Sequence, residues 1–255
     1  MATPKLISGW KLWKQSLRMY RRHFWRLVVL VFIVVLPNTL LTSLTQSDAT
    51  VSAYSSLAML VMNVTLIYSV ILFGSKPDSK PTFRELYYGS SSVLLRYLLV
   101  GFVLAIMLVP AALGLGLVGL GGNGTSTPPL GELLLLSLIG LIVSVPSIYL
   151  LIRNGLAVIT VFGHSRWPGQ ALRRSRELTQ GRFWALLGRY AILVLGLLGA
   201  VLPASIVCIG LLIATGSQFF LGLYQVLNAV VLLPLLYIYL YQLHQGLSAE
   251  KSREV

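Results

Sequence analysis

Charged residues are scarce in this sequence, and acidic residues are the scarcest of them. Only 11% of the 255 residues are charged, and seven residues are Asp or Glu. A soluble domain carries about 25% charged residues, so this composition excludes an ordinary water-soluble protein. None of the acids falls in the middle of a long apolar run, where ion-coupled transporters usually hold an ionisable side chain.

Cysteine and catalytic motifs are nearly absent as well. The single cysteine, Cys208, rules out an intrachain disulfide, and we expect it to be a small buried apolar residue. The sequence has no H-E-x-x-H, G-x-S-x-G or P-loop pattern, and its three histidines are far apart. Gly114, Gly116 and Gly119 match G-x-G-x-x-G, but inside an apolar run they favour helix packing over a nucleotide site. We therefore expect no enzyme activity, no metal and no cofactor.

Long apolar runs are what the sequence has in abundance, since 56% of its residues are hydrophobic. A helix needs about 20 apolar residues to cross the hydrocarbon of a bilayer. Six windows of that kind occur, near Phe24–Leu44, Val51–Phe73, Val93–Leu120, Leu133–Ile152, Trp184–Ala214 and Phe219–Gln242. The runs lack the alternation of barrel strands, so the sequence predicts an all-α integral membrane protein with six transmembrane helices.

The positive charges are concentrated in alternate connections. All 20 Lys and Arg residues lie in four places: before and into the first run, between the second and third runs and at the start of the third, between the fourth and fifth runs and at the start of the fifth, or after the sixth. The connections around 45–50, 121–131 and 215–218 have none. The positive-inside rule then predicts a multi-pass protein of the cell inner (cytoplasmic) membrane with both termini cytoplasmic. The first run has no clean cleavage site, so we expect it to stay as an anchor.

Two stretches that precede apolar runs are nearly the same. Residues 84–97 read RELYYGSSSVLLRY and residues 176–190 read RELTQGRFWALLGRY. Each predicts a short interfacial helix, a glycine elbow and the entry into a span. Thr82 and Glu85 predict a capping box at the start of the first helix, and Pro168 suits the first turn of the second.

The N-terminal segment fits the same plan. Its apolar residues recur at helical spacing, at Leu6, Trp10, Trp13 and Leu17, and basic residues occupy the other faces. Such a helix either lies in the headgroup plane or docks on the protein's own cytoplasmic surface. We therefore predict three antiparallel hairpins, each preceded by a cytoplasmic interfacial amphipathic helix. Within a single membrane domain they occupy 1–73, 74–162 and 163–245, followed by a short polar tail at 246–255.

The clearest functional signal is the basic clusters on the expected cytoplasmic side. Near anionic lipid each cation contributes about 1 kcal/mol; alternatively, the clusters only set the topology. Arg153 either snorkels to the headgroups or anchors a lipid phosphate or an internal partner. The candidate contacts to lipid headgroups or partners are Lys11, Lys14, Arg18, Arg21, Arg22, Arg153, Arg173, Arg174 and Arg176. Polar residues within the runs either line a path or join helices by hydrogen bonds: Asn63, Thr65, Ser69, Gln225 and Asn228.

One region resembles a known group of proteins. Residues 149–157 read YLLIRNGLA, and Ala171, Leu172, Ser175, Leu178, Gly181 and Trp184 follow at fixed spacing. This pattern resembles a group of poorly characterised six-helix prokaryotic inner-membrane domains, which includes the membrane domain ahead of some glycerophosphoryl diester phosphodiesterases. The acidic residue that this resemblance implies around 162–164 is missing. Only 11 residues follow His244, so we expect no phosphodiesterase catalytic domain and carry no enzyme activity over from the resemblance.

Together these observations favour a non-enzymatic polytopic inner-membrane protein. We expect it to act as a membrane scaffold or a lipid-interacting module. Its expected partners are membrane lipids, anionic ones above all, and other membrane proteins, but not nucleic acid. A small transporter or permease component for an apolar or lipid-like solute is the alternative.

Overall fold

The computed structural model describes residues 8–44, 49–76, 81–122, 130–163, 167–216 and 219–254. Ten helices and no strand occur in these ranges. The helices are α1 (Gly9–Arg22), α2 (Phe24–Leu44), α3 (Ala49–Ser75), α4 (Phe83–Ser91), α5 (Leu94–Gly122), α6 (Leu130–Asn154), α7 (Ala157–Gly163), α8 (Pro168–Thr179), α9 (Phe183–Thr215) and α10 (Phe219–Glu254). The predicted all-α class is confirmed for this part of the chain.

Apolar helices of membrane-spanning length dominate the described chain. Five stretches qualify, at Ala53–Ser75, Leu94–Gly116, Leu134–Gly163, Phe183–Thr215 and Gly222–Glu250, and a shorter one covers Phe24–Pro37. Large apolar side chains such as Phe102, Leu141 and Ile206 are exposed along them, as a surface that faces hydrocarbon requires. The chain is therefore a multi-pass helical membrane protein. The first predicted window corresponds to α2, where the shorter apolar stretch lies.

The last helix is longer than its apolar window. We predicted a span that ends near Gln242 and a short polar tail at 246–255; α10 extends from the span into this tail, over 36 residues to Glu254. At a rise of about 1.5 Å per residue it is roughly 54 Å long, well beyond the ~30 Å of a hydrocarbon core. The polar tail as far as Glu254 is thus a continuation of the helix.

The described chain divides into two compact units. The first consists of Met1–Leu95 and Gly188–Val255, and the second of Arg96–Leu187. The first and last thirds of the sequence therefore share a unit. The predicted division into three successive hairpins groups the chain differently and stays a prediction.

In the first unit, α10 packs against α1, α2 and α3, and α4 lies along α3. Close approach depends on glycine at two positions. A Cβ on Gly196 of α9 would lie 2.7 Å from the indole of Trp13 in α1, and one on Gly89 of α4 would lie 2.5 Å from the Tyr68 ring. Such distances are too short for any Cβ, so a larger residue at either position would displace its neighbour.

In the second unit, α8 packs against α6 and α7, and α5 approaches α6 where Gly114 lies against Gly140 and Ser144. Gly114 is thus a helix-packing residue, as we expected. One turn away, the backbone N–H of Ala111 donates to the Ser147 hydroxyl at 3.0 Å. Ala111 directly follows Pro110, which interrupts the hydrogen bonding of α5.

Candidate functional site

Helix α1 presents its cations on the face opposite its packing. Leu12, Trp13, Ser16 and Tyr20 are buried, because residues three and four positions apart share one side of a helix. The five basic side chains that we singled out on this helix are all exposed: Lys11, Lys14, Arg18, Arg21 and Arg22. No acidic residue occurs among residues 9–22. Of the two arrangements we considered for the segment, docking on the protein is therefore present.

Exposed aromatic surface accompanies these cations. The Trp10 side chain is 57% exposed, and the Lys14 ammonium lies 5.7 Å from the centre of its ring. A cation at this distance from an indole is attracted to the ring face. Tryptophan is also enriched at the headgroup level of bilayers, so α1 combines the two residue types that membrane interfaces favour.

Two hydroxyl groups tie the buried face of α1 to α10. The Ser16 Oγ lies 3.1 Å from Gln242 Oε1, and the Tyr20 hydroxyl donates to the Val230 carbonyl at 3.2 Å. Val230 precedes Pro234 by four residues, so its carbonyl has no helical N–H partner. Tyr20 replaces that missing donor. Burial raises the pKa of Tyr20 to about 12, and the phenol therefore keeps its proton.

Helix α1 ends at His23, whose backbone N–H donates to the Met19 carbonyl at 3.2 Å. The imidazole is buried and stacks on Phe73 of α3, with ring centres 4.5 Å apart. Burial lowers the pKa of His23, and the positive charges of Arg22 and Arg26 lower it further. A neutral histidine therefore joins α1 to the beginning of α2.

In the second unit, a helix break creates an acceptor that α8 covers. Helix α6 ends at Asn154 and α7 begins at Ala157. The Arg153 carbonyl therefore lacks the backbone N–H donor that a continuous helix would provide. The Ser175 hydroxyl donates to it at 2.9 Å, and the Thr179 hydroxyl reaches it at 3.2 Å. A carbonyl taken out of water needs a partner, and Ser175 supplies it. The single Thr179 proton is shared between this carbonyl and that of Ser175, which lies 3.0 Å away. Ser175 also belongs to the pattern on which the sequence resemblance depends.

The arginines of α8 have partners of their own. Arg173 Nε lies 3.1 Å from Glu177 Oε1, and Arg174 Nη1 lies 3.5 Å from Glu177 Oε2. Arg176 Nε donates to the amide oxygen of the fully buried Asn154 at 2.9 Å. The three cations are therefore partly neutralised or engaged in holding α8 on α6.

Arg153 lies at the rim of a small cavity in the second unit. Its guanidinium donates to the Tyr149 hydroxyl at 3.1 Å, and the cavity, of about 130 Å³, is also lined by Gln180 and Phe183. Ligand pockets usually measure roughly 300–1,000 Å³, so this one is too small for more than a single chemical group. Arg153 and Arg176 both lie at the α6–α8 contact, whereas Arg173 and Arg174 contact Glu177 of their own helix.

Several polar residues of the apolar helices join helices to each other. The Tyr237 hydroxyl of α10 donates to Asn63 Oδ1 of α3 at 2.9 Å, and Thr65 lies 3.1 Å from the Ser90 hydroxyl of α4. Ser69 instead bonds the Leu66 carbonyl of its own helix at 2.7 Å. Of the two remaining residues we singled out, Gln225 is exposed and Asn228 is half-buried.

Sequence reasoning missed several residues that the structure brings into contact. Pro234 could have indicated that the Val230 carbonyl needs a donor such as Tyr20, because a proline inside a helix frees the carbonyl four residues earlier. The role of Asn154 had no such signal, since its partner Arg176 is 22 residues away. Arg26 and its aromatic neighbours were also overlooked.

Among the residues that the structure describes, no three His, Cys, Asp or Glu side chains are close enough to hold a metal ion. His164 lies outside the described residues. Cys208 is free and buried, as we expected.

Comparison with known protein families, with curated proteins and with solved structures gives no match to this chain. The class of the protein follows from its helices alone: it is a multi-pass helical membrane protein.

Proposed function

We propose that this chain is a non-enzymatic six-span inner-membrane protein that gathers anionic phospholipid at its cytoplasmic side. The observation that carries the proposal is the arrangement of α1. Its apolar face is fixed to α10 by buried contacts, and its cations remain exposed, with Lys14 beside Trp10. A helix held in this way presents a constant positive surface next to the point where α2 begins.

The six-span topology is supported by α2 and by the charge distribution. Helix α2 covers 21 residues, which corresponds to about 31 Å at 1.5 Å per residue, enough to cross a hydrocarbon core. With α2 counted, the Lys- and Arg-rich connections all fall on one side, which the positive-inside rule assigns to the cytoplasm. The short helices α1, α4 and α8 then lie on that side, each before an apolar helix.

The charge on α1 is large enough to select lipids. Each Lys or Arg near an anionic surface contributes about 1 kcal/mol, and about 1.4 kcal/mol corresponds to a tenfold preference. Four to five exposed cations on one helix therefore favour anionic over zwitterionic lipid by at least tenfold, even after screening by salt is allowed for. The three arginines of α8 contribute less, because Glu177 and Asn154 already engage them.

The test is the lipid composition around the purified protein. The full chain is extracted in native lipid discs, and its anionic and zwitterionic phospholipids are quantified by mass spectrometry against the bulk membrane. We expect clear enrichment of anionic lipid, which falls when Lys11, Lys14, Arg18 and Arg21 are all changed to Gln. Lipid around the wild-type protein that matches the bulk membrane would refute the proposal.

A transporter for an apolar or lipid-like solute remains the second candidate. It would need polar residues such as Asn63 to face a path. Both groups of the Asn63 amide have partners, because its Nδ2 donates to the Met59 carbonyl at 2.8 Å and its Oδ1 accepts from Tyr237. These contacts favour a role in helix packing. Solute flux in proteoliposomes that responds to Asn63 or Asn228 substitution would instead support transport.

A further inference from the structure

A groove in the first unit lies between the beginning of α2, the end of α3 and the beginning of α4. Its floor is formed by Leu30, Phe73 and Leu86, which are all buried. Its sides are formed by Trp25, Val29 and Phe83, which are exposed by 75%, 48% and 42%. The groove thus has a buried apolar floor, and the side chains that form its sides are apolar and exposed.

Arg26 lines the same groove. Its guanidinium carbon lies 5.8 Å from the centre of the Phe73 ring, within the range of a cation–π contact. Val29 and Leu30 lie three and four residues further along α2, which is about 4.5–6 Å deeper along the helix axis. The positive charge of Arg26 therefore lies at one end of the groove, and the apolar side chains of Val29 and Leu30 lie one helical turn further along α2.

From this juxtaposition we infer that the groove binds one anionic glycerophospholipid, with its phosphate on Arg26 and the upper part of an acyl chain on Leu30, Phe73 and Leu86. The inference rests on the proposed function, which places the beginning of α2 at the cytoplasmic headgroups. Arg26 is then at phosphate depth, and the aliphatic lining faces the hydrocarbon. The groove takes a single lipid, in contrast to the loose anionic layer that α1 gathers.

Size and charge both favour a lipid over a soluble ligand. The cavity volume is about 280 Å³, just below the roughly 300–1,000 Å³ of pockets that enclose a small molecule. It accommodates part of an amphiphile whose remainder stays in the bilayer. A free phosphate would contact the arginine but not the aromatic and aliphatic lining. A lipid contacts both, with its phosphate on the arginine and its acyl chain on the lining.

Native mass spectrometry of the full chain in detergent tests the site, with phosphatidylglycerol and phosphatidylcholine titrated separately. We expect the wild type to retain one phosphatidylglycerol in preference to phosphatidylcholine, and to retain no glycerol 3-phosphate. The Arg26→Gln variant should bind phosphatidylglycerol about tenfold or more weakly, the loss expected for one charge-assisted hydrogen bond. The Val29→Trp variant keeps the charge and fills the groove, and it should lose the lipid as well.

Two matched variants control for charge and bulk. Arg84→Gln removes another exposed arginine that lies over an aromatic ring, Tyr88, 5.4 Å away. Ile33→Trp introduces the same bulky side chain at an exposed position of α2 one turn beyond the groove. Both should retain the single lipid.

The outcomes separate this inference from the proposed function. The groove is refuted if Arg26→Gln and Val29→Trp bind phosphatidylglycerol like the wild type, if the control variants lose the lipid equally, or if glycerol 3-phosphate alone binds. Anionic enrichment in native discs that depends on the α1 lysines and arginines would survive any of these results. If that enrichment were absent while Arg26→Gln still lost one lipid, the proposed function would fail and the groove would stand.

Discussion

Helices α1 and α8 are both basic, both short and both followed by an apolar helix, yet they hold their charge differently. The cations of α1 are exposed on a helix without an acidic residue. On α8, Glu177 lies three and four residues after Arg174 and Arg173 and contacts both, and Arg176 binds Asn154 of α6. The number of Lys and Arg residues in a segment is therefore a poor measure of the charge that it offers to a lipid.

The same two helices are fixed by one physical device. In each unit a helix irregularity frees a carbonyl, and a hydroxyl from the basic helix satisfies it. Pro234 frees the Val230 carbonyl, which accepts from Tyr20 of α1. The break after Asn154 frees the Arg153 carbonyl, which accepts from Ser175 of α8 and has the Thr179 hydroxyl within 3.2 Å. Helices that differ in their charge thus share a mode of attachment, and the two properties can be tested separately.

The largest expected effect comes from removing the space in which α1 docks. Changing Gly196 to Leu places side-chain atoms where the Trp13 indole lies, because even a Cβ would be 2.7 Å from the ring. Overpacking of this kind costs about 1–3 kcal/mol. We expect a lower unfolding temperature and loss of amide hydrogen-exchange protection over residues 9–22.

Gly199→Leu is the matched control, since it lies on the same helix and a Cβ there meets nothing within 4 Å. Equal loss of protection in both variants would show that a clash with Trp13 is not the reason why a larger side chain at position 196 is destabilising.

In the second unit, the attachment of α8 is tested by removing the two hydroxyl groups that lie within hydrogen-bond distance of the Arg153 carbonyl. The double variant Ser175→Ala, Thr179→Val leaves that carbonyl without its two side-chain donors, at a cost of about 1–3 kcal/mol. We expect the midpoint of thermal unfolding, followed by circular dichroism, to fall. Ser91→Ala removes an exposed hydroxyl, which bonds Tyr88 O at 2.9 Å, and should change the midpoint little. A double variant as stable as this control would contradict the assigned role of α8.

A smaller effect is expected where one hydroxyl serves one carbonyl on α1. Tyr20→Phe should lower the free energy of unfolding by about 1–2 kcal/mol, because the Val230 carbonyl loses its donor. In a Pro234→Ala background the helix supplies its own N–H, so the same change should cost much less. The double-mutant cycle therefore predicts a clear coupling between positions 20 and 234. Additive effects would mean that Tyr20 does not compensate for the proline.

The smallest expected effect is a pH dependence of stability that arises from His23 at the end of α1. The pKa of His23 is lowered in the folded protein by burial and by Arg22 and Arg26. The unfolded chain therefore binds the proton first as the pH falls, and stability that is present above pH ~6.5 is lost below it. The unfolding temperature should fall between pH 7.5 and 5.5, and less so in His23→Asn. Identical pH profiles would remove His23 as the cause.

Much of the fold was readable from apolar length and helical spacing. The Thr82–Glu85 capping box is present, with the Thr82 N–H 3.0 Å from Glu85 Oε2. Gly181 has a positive φ of 73°, which fits the predicted elbow between α8 and α9. Gly89 differs, because α4 continues through it to Ser91 and the glycine instead makes room for Tyr68. Similar sequences thus place glycine for two different reasons, backbone conformation in one and close packing in the other.

The candidate sites were only partly predictable. The exposure of cations follows from their positions on a helix, and the five that we singled out on α1 are exposed. The pairing of Arg176 with Asn154 and the groove around Arg26 depend on contacts between residues far apart in sequence, which no local period records. Arg26 belongs to the basic segment that predicts the topology, and only its contact with Phe73 points to the proposed groove.

The most direct test compares the lipid around two charge-neutralised proteins. One carries Lys11→Gln, Lys14→Gln, Arg18→Gln and Arg21→Gln on α1, and the other carries Arg173→Gln and Arg174→Gln on α8. After extraction in native lipid discs, the ratio of anionic to zwitterionic phospholipid is measured by mass spectrometry. We predict that the α1 variant loses most of the anionic enrichment and that the α8 variant retains nearly all of it. Equal ratios in the two variants, or a larger loss in the α8 variant, would contradict the account.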